Sequence, residues 1–169
     1  SNQDAEVEFK LNKIENEMIA TSAFERFYYF KGSDYQELEL NFKFTYLNDF
    51  VKSYNIDFMS YDSSGISLSP NNIDFTFIDQ LYNSSINKGF TNYFLYIKDI
   101  NYLGAYIAKY EICPEKHTLG YVYLLLTPKI KSETYNLDYF FSLDNNFNPQ
   151  NKKYAYAIYS NNQLVKSSG

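Results

Sequence analysis

Several residue types on which small folds and binding sites often depend are scarce in this sequence. Its 169 residues include one cysteine, one histidine, one arginine and no tryptophan. One cysteine excludes an internal disulfide, and one histidine excludes a metal site built from several histidines. The net charge is −5, and the basic residues are scattered rather than clustered. Because nucleic-acid phosphates are bound by several basic groups on one face, we expect no nucleic-acid partner.

Long apolar runs and catalytic motifs are also missing from the sequence. The longest apolar run, residues 121–126, is far shorter than the roughly 20 residues that span a bilayer. Glycine-rich phosphate loops and nucleophile elbows are absent. The carboxylates of Asp34, Glu37, Asp62 and Asp74 lie where helix caps and turns explain them. We therefore predict no enzyme activity, no catalytic residue, no metal and no cofactor for this part of the protein.

Cys113 and His117 have a spacing that could suit a metal. On a helix, a separation of four residues would place both side chains on one face, where they could form a two-ligand clip. Pro114 follows Cys113 directly, however, and residues 113–117 separate two strand-like runs. We therefore interpret this segment as a hairpin loop.

The N-terminal region has a helical pattern, which predicts one long helix over residues 4–30. Within it, Val7, Leu11, Ile14 and Met18 recur at alternating spacings of four and three, which is typical of a seam that packs helix on helix. The seam fits a contact between two copies of the chain. It fits equally a contact with the domain's own sheet or second helix, and the spacing leaves both alternatives open.

Two further helices, a hairpin of two strands and three more strand-like segments follow. Asp34, with Glu37 three residues later, predicts the start of a second helix that continues to residue 54, although residues 38–46 alternate between apolar and polar as a strand would. After Pro70 a third helix is predicted, with its apolar face against the sheet and its end at Gly89. Strands are predicted over residues 92–98, 102–111 and 119–127, in addition to a hairpin near residue 60.

A hairpin pattern occurs twice, at residues 56–69 and 156–168. In each, an apolar run that ends in tyrosine is followed by four small or polar residues and then by a second short apolar run. Gly65 favours the first turn because it adopts positive φ without a clash, and Asn161 and Asn162 tolerate the left-handed conformation in the second. Both segments are therefore predicted to form two antiparallel strands.

The first hairpin resembles the opening hairpin of PAS-like and Cache-like sensor domains. The features in common are a strand that ends in Tyr61-Asp62, a glycine three residues later at Gly65, an aliphatic residue at Ile66 and a closing serine. Residues 102–107, 119–129 and 154–165 point the same way. Together the segments resemble the extracytoplasmic sensor region of membrane-bound two-component sensor histidine kinases.

The resemblance implies an α+β fold, with a long N-terminal helix packed on a mainly antiparallel sheet of about five strands, plus a C-terminal hairpin. Residues 1–129 would form the sensor domain. Residues 130–169 would form a connection and a hairpin that either begins a second, incomplete sensor unit or extends the first sheet at its edge.

In functional terms, the resemblance implies a ligand-binding domain on the extracytoplasmic (periplasmic) side of a bacterial inner-membrane protein. Flanking membrane spans would anchor the parent, which would be a homodimer and would respond to a small-molecule or protein signal. Two alternatives remain open: the sensor domain of a chemoreceptor or a cyclic-nucleotide enzyme, and a secreted or lipid-anchored interaction module without a signalling role.

Tyrosines on the predicted strands are the main candidates for a binding site. Tyr102, Tyr106 and Tyr110 lie an even number of residues apart and so project to one face of their strand. Tyr121 and Tyr123 do the same on the next strand, so we expect one sheet face lined with phenols. Such a face could form a concave pocket or could pack under the long helix. Arg26 could bind a ligand carboxylate or lie on a solvated helix face. The candidate ligand-binding residues are Tyr93, Tyr102, Tyr106, Tyr121, Tyr123 and Arg26.

Overall fold

The computed structural model of the chain describes residues 2–30, 35–98 and 104–129. Four helices and four strands lie within these ranges. In chain order they are α1 (Asn2–Ala20), α2 (Ala23–Tyr29), α3 (Tyr35–Thr45), β1 (Tyr54–Asp62), α4 (Phe75–Asn83), β2 (Phe94–Tyr96), β3 (Tyr106–Ile112) and β4 (Gly120–Pro128). A short 3-10 turn, Pro114–Lys116, joins β3 to β4, so the segment with Cys113 and His117 is a loop, as predicted.

The four strands form one antiparallel sheet in the order β1-β4-β3-β2. The first and last strands of the sheet are therefore neighbours, paired along their whole length from Tyr54 with Pro128 to Asp62 with Gly120. Seven consecutive residues of β4 contain only one polar side chain, because helices cover both faces of this central strand. The predicted α+β class, with helices on an antiparallel sheet, is confirmed.

Each face of the sheet has its own hydrophobic core. Helices α1, α2 and α3 cover one face, which we call the α1 face, through buried side chains such as Leu11, Phe24 and Phe42. Helix α4 covers the opposite face, the α4 face, through Phe77 and Ile78. Asp74 begins α4 as a cap whose carboxylate accepts a hydrogen bond from the Thr76 amide at 2.8 Å, in agreement with the sequence prediction.

The sheet has four described strands rather than the five predicted. The turn at residues 62–65 forms as expected, with the Asp62 carboxylate accepting hydrogen bonds from the amides of Ser64 and Ile66 and with Gly65 at φ +86°. The returning segment, however, makes only an isolated bridge between Tyr61 and Ser67. Side-chain hydrogen bonds then replace strand pairing: the Ser69 hydroxyl donates to Asn71 Oδ1, and the Asn71 amide donates to the Phe58 carbonyl of β1. The predicted hairpin at residues 156–168 lies outside the described residues.

The helix boundaries also differ from the prediction. The single helix expected over residues 4–30 is two helices, because the chain bends at Thr21 and Ser22 so that Phe24 and Phe27 enter the core. The second predicted helix ends at Thr45 rather than at residue 54. Residues 46–53 form turns that bury Leu47 and Phe50 before β1 begins. In both places tertiary packing, which the local pattern does not contain, ends the helix.

The apolar seam of α1 packs on the domain's own sheet. Leu11 and Met18 are completely buried in the core of the α1 face, and Val7 and Ile14 are partly buried against it. Leu11 and Met18 therefore offer no surface to a second copy of the chain. Of the two alternatives for this seam, the structure shows the intramolecular one.

None of the helices in the described part of the chain has both the length and the apolar character needed to cross a bilayer.

Candidate functional site

The candidate tyrosines lie on both faces of the sheet, so the prediction of a single phenol-lined face is wrong. Residues directly opposite each other on paired strands share a face. In β3 and β4, Tyr106 lies opposite Leu126, whereas Tyr123 lies opposite Lys109. Tyr106 therefore faces α1, and Tyr121 and Tyr123 face α4. Strand-by-strand alternation could not reveal this, because it does not fix the register between strands.

The tyrosines on the α1 face are enclosed by the helix above them. Tyr106 is fully buried, and its hydroxyl donates a hydrogen bond to the Glu8 carboxylate at 3.0 Å. Tyr93 stacks on the buried ring of Tyr110, with ring centroids 4.7 Å apart. Burial raises the pKa of Tyr110 well above its usual range. Of the candidates, Tyr102 lies outside the described residues.

Helix α1 is held to this face by a second buried carboxylate. The Glu15 side chain is completely buried, and its two oxygens accept hydrogen bonds from the backbone amides of Asn92, Tyr93 and Phe94 at 2.6, 2.9 and 3.2 Å. These amides lie just before and at the start of β2, which is at the edge of the described sheet. Because hydrogen bonds to a charged acceptor are stronger than neutral ones, Glu15 ties α1 firmly to the start of β2.

A polar cluster, which we call the Asp79 cluster, lies on the α4 face. Its residues are Asp79 and Tyr82 of α4, Lys109 of β3, and Tyr121 and Tyr123 of β4. The Lys109 ammonium lies 2.8 Å from Asp79 Oδ1, and the Tyr123 hydroxyl donates to the same oxygen at 2.5 Å. The side chains of Lys109 and Asp79 are 25% and 27% exposed, so the cluster is half-buried and accessible from solvent.

Aromatic rings surround the ammonium group of Lys109. Its nitrogen lies 5.2 Å from the ring centroid of Tyr121, 5.7 Å from that of Tyr123 and 5.8 Å from that of Tyr82. All three distances are within the range of cation–π attraction. The cluster therefore combines a carboxylate, an ammonium group and three phenols in one half-open site.

The electrostatics of the cluster shift the pKa values of Asp79 and Tyr123 in opposite directions. Burial acts to raise the pKa of Asp79, but the hydrogen bonds from Lys109 and Tyr123 outweigh it and hold that pKa below its usual value. Burial, together with the bond to Asp79, raises the pKa of Tyr123 far above its usual range. At neutral pH the carboxylate is thus ionised and the phenol protonated. Neither group has the pKa near neutrality that suits a general acid or base.

Sequence reasoning identified Tyr121 and Tyr123 but missed Asp79, Tyr82 and Lys109. One signal was available, since Lys109 is the only charged residue in an otherwise apolar stretch from residue 104 to residue 110. A lysine in such a strand indicates a partner on the same face. The identity of that partner, Asp79, depends on how α4 lies on the sheet.

Arg26 lies on a cavity between α2 and α3. The cavity has a volume of about 220 Å³, and its lining includes Arg26, Phe30, Glu37 and Asn41. Arg26 is exposed, and its guanidinium donates a hydrogen bond to the Ser22 hydroxyl at 2.6 Å. The described candidates are therefore divided among three places: Tyr93 and Tyr106 on the α1 face, Tyr121 and Tyr123 on the α4 face, and Arg26 on the α2–α3 cavity.

In the described ranges, no three histidine, cysteine, aspartate or glutamate side chains are grouped so that they could hold a metal ion. No known protein family, curated protein or solved structure matches the chain.

Proposed function

We propose that the chain is an extracytoplasmic sensor domain of a membrane-bound two-component histidine kinase, with a PAS-like or Cache-like fold. The order of elements supports this proposal: helices precede the sheet, a helix follows the first strand, and three strands close the sheet. The first strand lies beside the last. In this proposal the fragment binds or senses, and the kinase chemistry belongs to another part of the parent.

The observation that most supports a signalling role is the attachment of α1 to the sheet. Glu15 bonds three amides at the start of β2, and Glu8 accepts a hydrogen bond from Tyr106 of β3. A displacement of β2 or β3 would therefore move α1 as well. In the parent, α1 would follow the first membrane span and would transmit that displacement.

In this proposal, such a displacement would begin at the Asp79 cluster. Lys109 projects from β3 toward α4, while Tyr106 and Tyr110 project from the same strand toward α1. A ligand that replaces Asp79 as the partner of Lys109, or Lys109 as the partner of Asp79, would have a higher affinity for one position of β3 than for another. Such a ligand shifts the equilibrium between the two positions by its difference in affinity for them.

One observation favours the alternative of a secreted or lipid-anchored interaction module. Phe30, Leu40 and Phe44 are exposed on α2 and α3, as an interaction surface would be. A chemoreceptor sensor domain also fits the fold, because a fold does not determine the output of its parent.

The sequence that encodes the parent on both sides of this chain tests the proposal directly. We expect an apolar span of about 20 residues before Ser1, another after Gly169 and a histidine kinase core beyond the second span. A second span followed by a chemoreceptor signalling domain would support the chemoreceptor alternative instead. A chain that ends near Gly169 without a second span would reject both and favour the interaction module.

A further inference from the structure

The connection between α4 and β2, residues 84–93, runs from one face of the described sheet to the other. It leaves α4, which covers the α4 face, and reaches α1, which covers the α1 face. Between the two helices it passes β2, at the edge of the described sheet, where the backbone of Ile86 exchanges hydrogen bonds of 2.9 and 2.8 Å with that of Tyr96. We call residues 84–93 the edge strap.

The first residues of the edge strap are fixed to the end of α4. The Ser84 amide donates a hydrogen bond to the Gln80 carbonyl at 3.0 Å, and the Ser85 hydroxyl donates to the Leu81 carbonyl at 2.8 Å. Asp79 directly precedes these two acceptors in the sequence. The Asp79 cluster and the start of the edge strap therefore share one end of α4, and a displacement of that end would move both.

The middle of the edge strap is attached to α1 by Lys88. Its ammonium nitrogen lies 3.5 Å from Glu8 Oε1 and 3.7 Å from the ring centroid of Tyr96. The Glu8 side chain is only 3% exposed, and it also accepts the hydrogen bond from Tyr106. A buried carboxylate depends on such partners, because the loss of one leaves its charge poorly compensated. Lys88 therefore joins the edge strap to a buried part of α1.

The last residues of the edge strap are held by α1 as well, through the bonds from the amides of Asn92 and Tyr93 to Glu15. Residues 86–90, by contrast, are all exposed, and Gly89 has open space around it. Polar contacts rather than burial in a core thus keep this part of the edge strap in place. Segments held in this way are among those that shift at low cost in free energy.

We propose that the edge strap couples the position of α4 to that of α1, with Lys88 as the positioning residue. The two helices lie on opposite faces of the sheet, so the edge strap provides a path around the sheet in addition to the path through β3. Contacts that join two elements without interruption can carry such coupling. As a signalling route the edge strap rests on the proposed sensor function, whereas the coupling itself is a property of the fold.

A double-mutant cycle on the whole chain measures the coupling. Asp79→Asn weakens the hold of α4 on the sheet, and Glu8→Gln weakens the attachment of α1. Changes at independent sites combine additively to within about twofold in the unfolding equilibrium constant. We expect these two to deviate from additivity by at least about threefold in denaturant titrations. Additive behaviour in the wild-type background would overturn the proposal.

Variants of Lys88 show whether the coupling passes through the edge strap. Lys88→Met should reduce the deviation to less than about twofold, because it removes the charge but keeps the length of the side chain, and Lys88→Arg should preserve the deviation. Lys43→Met is the matched control, since Lys43 pairs with Glu39 at 2.7 Å within α3 and its side chain is 19% exposed, against 31% for Lys88. The control should also preserve the deviation. A deviation that persists in Lys88→Met would mean that coupling passes through β3, and it would overturn the proposal.

Hydrogen exchange locates the effect of the same change at Asp79. We expect Asp79→Asn to speed exchange of the Leu11 and Asn12 amides of α1 at least about threefold relative to the Leu124 amide of β4, which reports global unfolding. In Lys88→Met the same substitution should change that ratio less than about 1.5-fold. Equal acceleration at all three amides in the wild-type background would mean that Asp79→Asn acts through global unfolding alone, and this outcome would also overturn the proposal.

The edge strap and the sensor function can fail separately. The sequence of the parent decides the sensor function, whereas the coupling is measured on the chain itself. Coupling through Lys88 in a chain without a kinase parent would support the edge strap and reject the sensor function. A kinase parent without such coupling would reject the edge strap and leave transmission to the path through β3.

Discussion

Lys109 shows how one residue can organise the surface around it. It is the only charged side chain in an apolar stretch of β3, and it draws Asp79 of α4 and three tyrosine rings into a single cluster. A half-buried ammonium needs such partners, because removing a charge from water without compensation is costly. The cluster thus helps to position α4 on the sheet, besides providing a candidate binding site.

The ionisation of Asp79 predicts a pH-dependent contribution to stability. Its pKa is lower in the folded chain than in the unfolded chain, where carboxyl groups of this type titrate near pH 4. The stabilisation is therefore fully present above the pKa that Asp79 has in the unfolded chain. It is lost as the pH falls through the pKa that Asp79 has in the folded chain. We expect Asp79→Asn to lower the free energy of unfolding by about 1 kcal/mol at pH 7 and by much less at pH 3.

Urea denaturation of the wild type and Asp79→Asn between pH 3 and pH 7 measures this difference. Asp49→Asn, in the exposed turn before β1, is the control. A difference between wild type and Asp79→Asn that stays constant over the whole range would contradict the proposed role of the ionised carboxylate.

Gly120 occupies a position where no side chain fits. A β-carbon there would lie 2.2 Å from the Tyr61 carbonyl oxygen and 2.4 Å from the ring of Tyr28. We expect Gly120→Ala to lower the free energy of unfolding by about 3 kcal/mol, because backbone and a packed ring must both move. At Gly89, with φ +90° and open space around it, alanine meets only backbone strain and should cost about 1 kcal/mol. Equal losses in denaturant titrations would contradict the packing argument.

At the scale of elements, α1 is attached to the sheet by polar as well as apolar contacts. Glu8, Leu11, Glu15 and Met18 are all buried along one side of the helix. The two carboxylates bond different parts of the sheet, Glu8 to Tyr106 of β3 and Glu15 to the start of β2. Directed hydrogen bonds fix the position of a helix more specifically than apolar contacts alone.

Removal of the Glu15 carboxylate tests this attachment. Glu15→Ala leaves three amides at the start of β2 without their acceptor, and we expect the free energy of unfolding to fall by about 3 kcal/mol. Glu17→Ala, an exposed change on the same helix, should cost less than about 0.5 kcal/mol. Denaturant titrations give these values, and hydrogen exchange should show faster exchange of the amides of Asn92 and Tyr93 in Glu15→Ala. Unchanged exchange of those amides would contradict the attachment.

Helix α3 shows why a local pattern can mislead. Its apolar residues alternate as in a strand, yet the segment is a helix. On a helix, residues two apart point in nearly opposite directions. The alternation therefore places Leu38 and Phe42 in the core and Leu40 and Phe44 on the surface. The same pattern that suggested a strand therefore accounts for the exposure of Leu40 and Phe44 on the outer side of α3.

At the scale of the whole molecule, the sheet separates two hydrophobic cores, and α1 belongs entirely to one of them. This arrangement predicts what a change in the α1 seam should do. We expect Leu11→Ala to lower the free energy of unfolding by about 3 kcal/mol through the cavity it leaves, without changing the self-association of the folded chain. Leu40→Ala, on the exposed side of α3, should cost less than about 1 kcal/mol in stability.

Denaturant titration and sedimentation of the two variants separate these effects. If Leu11→Ala changed the self-association of the chain at full stability, the seam of α1 would be a contact between copies instead. If neither variant changed stability, the placement of Leu11 in the core would be wrong.

The sequence by itself determined the class of the fold and much of its local structure. Turn chemistry at Asp62 and Gly65, the cap at Asp74 and the loop after Cys113 act over a few residues, so each could be predicted from its neighbours. The α+β class followed from the order of helical and strand-like segments. Composition alone also indicated the absence of a disulfide framework.

Only the tertiary structure decided where these elements end and which side chains meet. The break after Ala20, the end of α3 at Thr45 and the loss of the fifth strand all depend on packing between distant segments. The register of β3 on β4 separated Tyr106 from Tyr123, and the position of α4 brought Asp79 to Lys109. Asp79 and Lys109 are 30 residues apart in the chain, and the geometry of such a contact depends on how whole elements fit together rather than on any local pattern.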